Sequence, residues 1–310
     1  MPQFEHPQRP FGSLLTAMAT PFNDDGTLDL ESVHRLATHL VSLGHDGIVV
    51  NGTTGEAPTT SDEEKRLIIS TVRRAVGPSV KVVAGVGTNN TAHSVTLAEE
   101  AAAAGADGLL VVSPYYSRPS QEGLVQHFLR LADATSLPVM VYDIPGRSAV
   151  QIDEATLIKL AANPRIVAVK DATGQVGAGF AKMVSTGLAY YAGDDLLGLA
   201  FLAGGASGIV SVVGHVTGDL WRQLIDSVDS GQLATARRLQ ARMLPVIEAV
   251  VGHGQGAVMV KAALEALEVL PGRMVRLPLA PATEAQLGHV RQALEAARIR
   301  PLHSTRPESA

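Results

Sequence analysis

The sequence predicts an α/β fold, a closed (β/α)8 TIM barrel followed by a C-terminal helical extension, and three observations carry that expectation. Eight short runs rich in Val, Ile and Leu recur along the chain, segments with apolar spacing of three and four lie between them, and no Gly-rich dinucleotide turn follows the first run.

The apolar runs are Ser13 to Ala19, Gly47 to Val50, Val80 to Ala84, Gly108 to Val112, Pro138 to Tyr142, Ile166 to Val169, Ala189 to Ala192 and Gly208 to Val212. Short, apolar throughout and with little polar alternation, they have the pattern of parallel strands covered on both faces. Between them, Ser61 precedes DEEKRLIIS, Thr91 precedes AHSVTLAEEAAAA, Ser120 precedes QEGLVQHFLRLA and Asp153 precedes EATLIKLAA. Each of these helices is expected to start at a residue whose side chain accepts from an otherwise unpaired amide of the first turn. Glu64, three residues after Ser61, predicts a capping box there. Right-handed crossovers of this length return each strand parallel to its predecessor, and eight such units close into a barrel. The alternative, an open doubly wound sheet, wants a fingerprint turn where this chain has TPFNDDG. Helical patterns near residues 217–229, 232–250, 256–268 and 284–297 supply the last barrel helix and the extension. The expected organisation is a barrel over 11–230, a helical region over 231–298, and flexible ends at 1–10 and 299–310.

Composition narrows the function classes. A chain of 310 residues, 46% apolar, fills one large domain or two small ones. A formal charge of -5 without a Lys or Arg cluster offers no landing patch for nucleic acid or an anionic membrane, so a small molecule is the expected partner. No run reaches the length of a membrane span and the start lacks a secretory apolar stretch. Cysteine is absent, which excludes disulfides, thiolate metal sites and a Cys nucleophile and fits a cytoplasmic location. Ten histidines carry no HExxH-type spacing, and Asp24, Asp25, Asp194 and Asp195 sit in turn-like settings, so no catalytic metal is expected. Ser13, Ser113 and Ser211 lack nucleophile-elbow surroundings.

Chemistry in such a barrel belongs at the C-terminal strand ends, where this chain has NGTTGE, SPYYSRPSQEG, YDIPGR, KDATG and AGDD. Lys170 follows IVAV directly, and an ammonium at the end of a buried strand loses hydration, which favours the neutral, nucleophilic amine. A Lys that snorkels to solvent or pairs with Asp171 is the other reading of the same local sequence. Tyr142 also closes an apolar run, as a core tyrosine or as a proton shuttle for a carbinolamine. Gly52, Thr53, Thr54 and Gly55 form a small-residue turn whose amides and hydroxyls suit a carboxylate. Arg147, past a Pro-Gly turn, suits a second carboxylate or stands as a solvated loop residue.

Together, TAMATPF, NGTTGE, VVSPYYSRPSQEG, YDIPGR, VKDATG, YAGDD and GIVSV resemble, in order and approximate spacing over residues 11 to 298, the dihydrodipicolinate synthase family of pyruvate-dependent class I aldolases and lyases. The resemblance implies that Lys170 forms an imine with pyruvate, while Thr53, Tyr142 and Tyr116 relay protons, Tyr116 reaching in from a neighbouring subunit. It implies that Thr54 holds the pyruvate carboxylate, that Gly193 and Val210 line the pocket through main-chain groups, and that Arg147 anchors the carboxylate of L-aspartate 4-semialdehyde. A homotetramer built as a dimer of dimers, a place in the diaminopimelate route to lysine, and no cofactor or metal complete the expectation. Related sialic acid lyases generally lack the matching Arg and carry GST for GTT, so Arg147 and Thr53-Thr54 favour the synthase. N-acetylneuraminate lyase, a 2-keto-3-deoxy-sugar acid aldolase and a non-catalytic keto-acid-binding barrel are the alternatives. Where lysine-inhibited members surround the effector with His and Glu, this chain has Ala57, Asp62, Lys65 and His93, retaining Asn89 and Tyr115. Lys65 would repel the effector's ammonium, so weak or absent lysine feedback is expected. Asn51, ahead of the turn, is a departure with no reading from sequence.

Overall fold

The computed structural model describes residues 7–252 and 254–300. In chain order the elements are β1 (Leu14–Ala17), α1 (Leu30–Ser42), β2 (Gly47–Val50), α2 (Asp62–Val76), β3 (Lys81–Gly85), α3 (Thr91–Ala103), β4 (Gly108–Val112), α4 (Gln121–Ala134), β5 (Val139–Asp143), α5 (Pro145–Ser148), α6 (Glu154–Ala161), β6 (Ile166–Asp171), α7 (Val176–Thr186), β7 (Ala189–Ala192), α8 (Gly198–Ala203), β8 (Gly208–Ser211), α9 (Gly214–Asp229), α10 (Leu233–Ile247), α11 (Gly256–Ala266) and α12 (Glu284–Ala296). Each strand pairs parallel with the next and β8 pairs with β1, closing the expected (β/α)8 barrel. All eight apolar runs are strands, with bounds within two residues of expectation.

Burial on both faces explains why the runs lack alternation. Residues of each strand point alternately into the barrel and out toward the helices. The inner cluster contains Leu15, Val49, Val83, Leu110, Met140, Ala168 and Tyr191, while their neighbours Leu14, Ile48, Val82, Leu109, Val139, Val169 and Tyr190 join the larger layer under the helices. Phe11 plugs the N-terminal end of the barrel beside Tyr191, whose hydroxyl donates to Gly12 O at 2.9 Å and accepts from Phe11 N at 3.3 Å.

The caps show where local chemistry sets the helix starts. Ser61 and Glu64 form the expected capping box on α2, and Ser120 accepts from Gly123 N on α4. For α3 the cap is Asn90, whose Oδ1 accepts from His93 N, and Thr91 is the first helical residue. Either side chain can cap; Asn90 has the extended backbone that the position requires. Asp153 precedes α6 without a side-chain cap bond. The pattern start near 217 coincides with a kink inside α9 at Thr217 (φ -126°, ψ 19°), so that helix begins earlier, at Gly214.

After the barrel, α10 packs along α9, and α11 and α12 pack together. A short π-helical segment, Glu248–Gly252, follows Pro245, which lacks the amide for a regular helix bond. Of the ends expected to be flexible, residues 1–6 and 301–310 lie outside the described residues. Arg9 forms a two-bond pair with Asp229, at 2.8 Å each, and donates to Ser207 O at 3.0 Å. No helix among the described residues is long and apolar enough to cross a membrane.

Candidate active site

Strand alternation places the two central side chains. Ala168 faces the barrel interior, so Lys170, two residues on, faces inward too, and Met140 and Tyr142 do the same on β5. Tyr142 and Lys170 are direct register partners, as are Asp143 and Asp171. β5 therefore runs one residue and β6 two residues further than the apolar runs suggest, and Lys170 lies within its strand rather than just past it. Its Nζ sits 4.3 Å from the centroid of the Tyr142 ring.

Lys170 is 4% exposed. Burial pulls its ammonium down to about 8, with the Arg147 charge adding to the fall and the Asp195 carboxylate opposing it. The same burial pushes the Tyr142 phenol up to about 12, against a hydrogen bond with Thr53 and the charge of Arg147. At pH 7 the pair is thus a lysine of which about a tenth is uncharged, far more than for an exposed lysine, beside a protonated phenol, the combination a carbonyl addition requires.

Thr53 comes from the turn after β2. That turn is bracketed by two left-handed residues, Asn51 (φ 56°) and Glu56 (φ 55°). Such a conformation costs roughly 1–2 kcal/mol for a residue with a Cβ and less for Asn, which gives Asn51 the physical role that its sequence context did not reveal. Its Nδ2 donates to Lys65 O at 3.1 Å, and Gly85 lies so close beneath that a Cβ there would stand 2.3 Å from Asn51 O. Glu56 N returns to Thr53 O at 3.2 Å, and Thr20 Oγ1 donates to Gly55 O at 2.7 Å. Thr54 is buried beside Thr53.

Gly193 lies flat against the lysine stem, because a Cβ would stand 3.1 Å from Lys170 Cγ and 3.0 Å from Asp171 O. Its amide already donates to Asp171 O at 2.7 Å, which leaves its carbonyl as the group able to serve a ligand. Val210, on β8 opposite Leu15, is fully buried in the inner cluster. Arg147 stands exposed on α5, in a loop closed by Ser148 Oγ, which donates to Ile144 O and Val150 O. Behind that loop Asp143 and Lys182 grip Ile152 from both sides: its N donates to Asp143 Oδ1 at 3.2 Å and its O accepts from Lys182 Nζ at 2.8 Å. Burial pushes the Asp143 carboxyl up to about 6, although Lys182 stands 3.6 Å away.

Thr53, Tyr142, Arg147 and Tyr116 line one cavity of about 640 Å³, together with Ile144 and Tyr115. Lys170, Thr54, Gly193 and Val210 are packed out of its lining, with Lys170 covered by the Tyr142 ring. Tyr116 has a left-handed backbone (φ 72°) and a side chain 91% exposed, so within one chain its phenol projects into solvent. The same cavity continues to Asn89, Asp62, Lys65 and His93. There the Lys65 ammonium donates to Thr60 O, and His93 Nε2 pairs with Asp62 Oδ2 at 2.9 Å.

Sequence reasoning missed the supports of this site. Asp195, the second acid of AGDD, is buried and accepts from Ser211 Oγ, Val212 N (2.9 Å) and Val213 N (3.3 Å), tying the ends of β7 and β8 together next to Lys170. Its only sequence signal was its place at a strand end. His215 accepts from Ala19 N at 3.0 Å and donates to Val212 O at 2.7 Å, and burial holds it down at about 4, a neutral structural histidine. Among the described residues no group of three or more His, Asp or Glu could hold a metal ion.

Comparison with known proteins gives a consistent result. A model of the Dihydrodipicolinate synthetase family matches residues 10–297. The chain is 52% identical over 295 residues to the 4-hydroxy-tetrahydrodipicolinate synthase of Kineococcus radiotolerans, covering 95% of this chain and 96% of that one. Among solved structures, a dihydrodipicolinate synthase of Bacillus anthracis superposes with a TM-score of 0.89 at 40% identity, over 92% of this chain and 98% of that one. The chloride-inhibited dihydrodipicolinate synthase of Acinetobacter baumannii, complexed with pyruvate, superposes with a TM-score of 0.90 at 33% identity, over 93% and 99%.

Proposed function

The chain belongs to the dihydrodipicolinate synthetase family, and from that premise we propose that its barrel condenses pyruvate with L-aspartate 4-semialdehyde through an imine on Lys170. Its activity is that of a 4-hydroxy-tetrahydrodipicolinate synthase, a lyase-type enzyme of lysine biosynthesis. The observation that carries the chemistry is the buried Lys170 amine, held at about 8 and set against the Tyr142 ring.

In this reading the uncharged amine adds to the keto carbon of pyruvate, and Tyr142 and Thr53 pass the proton that lets water leave as the imine forms. Loss of a methyl proton gives the enamine, whose carbon attacks the aldehyde. The substrate's own amine then displaces Lys170 and closes the ring. Thr54 and the adjacent backbone of its turn receive the pyruvate carboxylate, Gly193 lines the pocket through its main chain, and Arg147, exposed in the lining of the cavity, receives the second carboxylate bidentately. Tyr116 completes the relay from a second copy of the chain, which its exposure supports and which makes an oligomer, a dimer of dimers, part of the proposal. A cytoplasmic setting goes with it.

Sugar-acid aldolases and a silent keto-acid-binding barrel share the fold, and supplying pyruvate with each candidate aldehyde distinguishes them. Product is expected with aspartate semialdehyde; product only with a sugar aldehyde, or with none, overturns the assignment.

The lysine fixes the pH dependence. A group brought down to about 8 is mostly charged below that pH, so kcat/KM for pyruvate should rise about tenfold per unit between pH 6 and 7 and level off above about 8. A flat profile across that range contradicts a lysine nucleophile with this titration. Lys65 bears on regulation. Its ammonium is fixed on Thr60 O in the arm of the cavity that also holds Asp62 and His93, so a second ammonium is repelled there. Lysine should therefore show no half-inhibition at submillimolar concentration, and an inhibition curve that reaches it there refutes the reading.

A further inference from the structure

We infer that the buried Glu56–Lys261 ion pair is a positioning device that holds the Thr53–Thr54 turn in its pyruvate-binding shape, an inference that rests on reading that turn as the carboxylate site. The two side chains are 205 positions apart, each 1% exposed, with Lys261 Nζ 2.5 Å from Glu56 Oε1. Both carboxylate oxygens are engaged: Oε1 accepts from Lys261 Nζ and Oε2 accepts from Arg276 N at 2.9 Å. Lys261 is itself fixed by donating to Met274 O at 2.7 Å and by lying 4.3 Å from the Phe22 ring centroid. Arg276 lies over the same ring at 4.2 Å, pairs with both oxygens of Glu64, and donates to Gly26 O and Thr59 O. The helical extension thus grips the turn's last residue and the segment just beyond it.

Transmission to the site is short. Glu56 is left-handed, and its amide donates to Thr53 O, so displacement of Glu56 moves the peptide that carries Thr53. At the other end Asn51 is held by Lys65 O and by the close packing of Gly85. A turn pinned at two left-handed residues keeps its central amides and hydroxyls in one arrangement only while both pins hold. A buried ion pair contributes little to stability compared with an apolar replacement, but it is directional, and direction is what a carboxylate-binding turn requires.

The test compares Lys261→Met with the double variant Glu56→Gln/Lys261→Met in the full-length protein. The single variant leaves a buried carboxylate unpaired and is expected to lose thermal stability; the double variant removes both charges and is expected to regain most of it. Borohydride trapping of pyruvate on Lys170 is then measured against pyruvate concentration. In the double variant the half-saturating concentration is expected to rise about tenfold or more, with kcat at saturating pyruvate changing less. A double variant with near wild-type melting and wild-type half-saturation shows a purely structural pair and overturns the inference alone. Failure of the wild-type protein to trap pyruvate at Lys170 removes the reading of the site, and this inference with it.

Discussion

Replacing Lys170 with alanine is expected to abolish covalent capture of pyruvate and to lower turnover by on the order of 10⁴-fold or more, because the proposed step needs an oriented amine within bonding distance of the keto carbon. The fold should survive. Lys170 makes no side-chain hydrogen bond that anchors another element, and removing a buried ammonium relieves a desolvation cost, while the shortened side chain leaves a small void beside Tyr142. Gel filtration and melting close to wild type, with activity lost, are the expected pair of results. Substantial turnover in the alanine variant would move the nucleophile elsewhere.

The second large effect concerns the aldehyde. Arg147→Ala should leave the pyruvate imine intact and lower kcat/KM for aspartate semialdehyde by about 10²–10³-fold, the loss expected when a paired, charge-assisted contact disappears. Arg147→Lys should recover only part of this, since an ammonium lacks the planar fork that grips both oxygens. The same arginine helps hold the Lys170 amine uncharged, so its removal should also move the rising limb of the pH profile upward. Steady-state constants unchanged for both substrates would place the second carboxylate at another residue.

The barrel was legible because its strands are covered on both faces, and burial of that kind leaves short apolar runs that recur eight times between amphipathic helical segments, although the apolar helix α8 (GLAFLA) shows that one such run alone does not distinguish strand from helix. The strand ends were legible for the same reason: a polar residue closing such a run has nowhere to go but the mouth of the barrel, which is how Lys170, Tyr142 and the residues of the NGTTGE and YDIPGR stretches came forward. What stayed hidden depends on tertiary distance or on backbone angles. Nothing near Glu56 in sequence points to Lys261, and nothing near Asp143 points to Lys182. Asn51 is explained by a left-handed φ that only the folded turn reveals, and the cap on α3 falls on Asn90 rather than Thr91 because two adjacent residues both carry capping chemistry. Val210 and Gly193 have only main-chain groups to offer a polar ligand, so their side-chain identity carries a packing signal instead: a Cβ at 193 would press on the lysine stem at 3.1 Å.

The most direct measurement is reduction with borohydride in the presence of pyruvate, followed by peptide mass mapping of the whole chain. A single reduced adduct is expected, on Lys170, absent without pyruvate and absent in Lys170→Ala. An adduct on Lys65, Lys182 or Lys261, or no adduct while the enzyme turns over, would contradict an imine on Lys170.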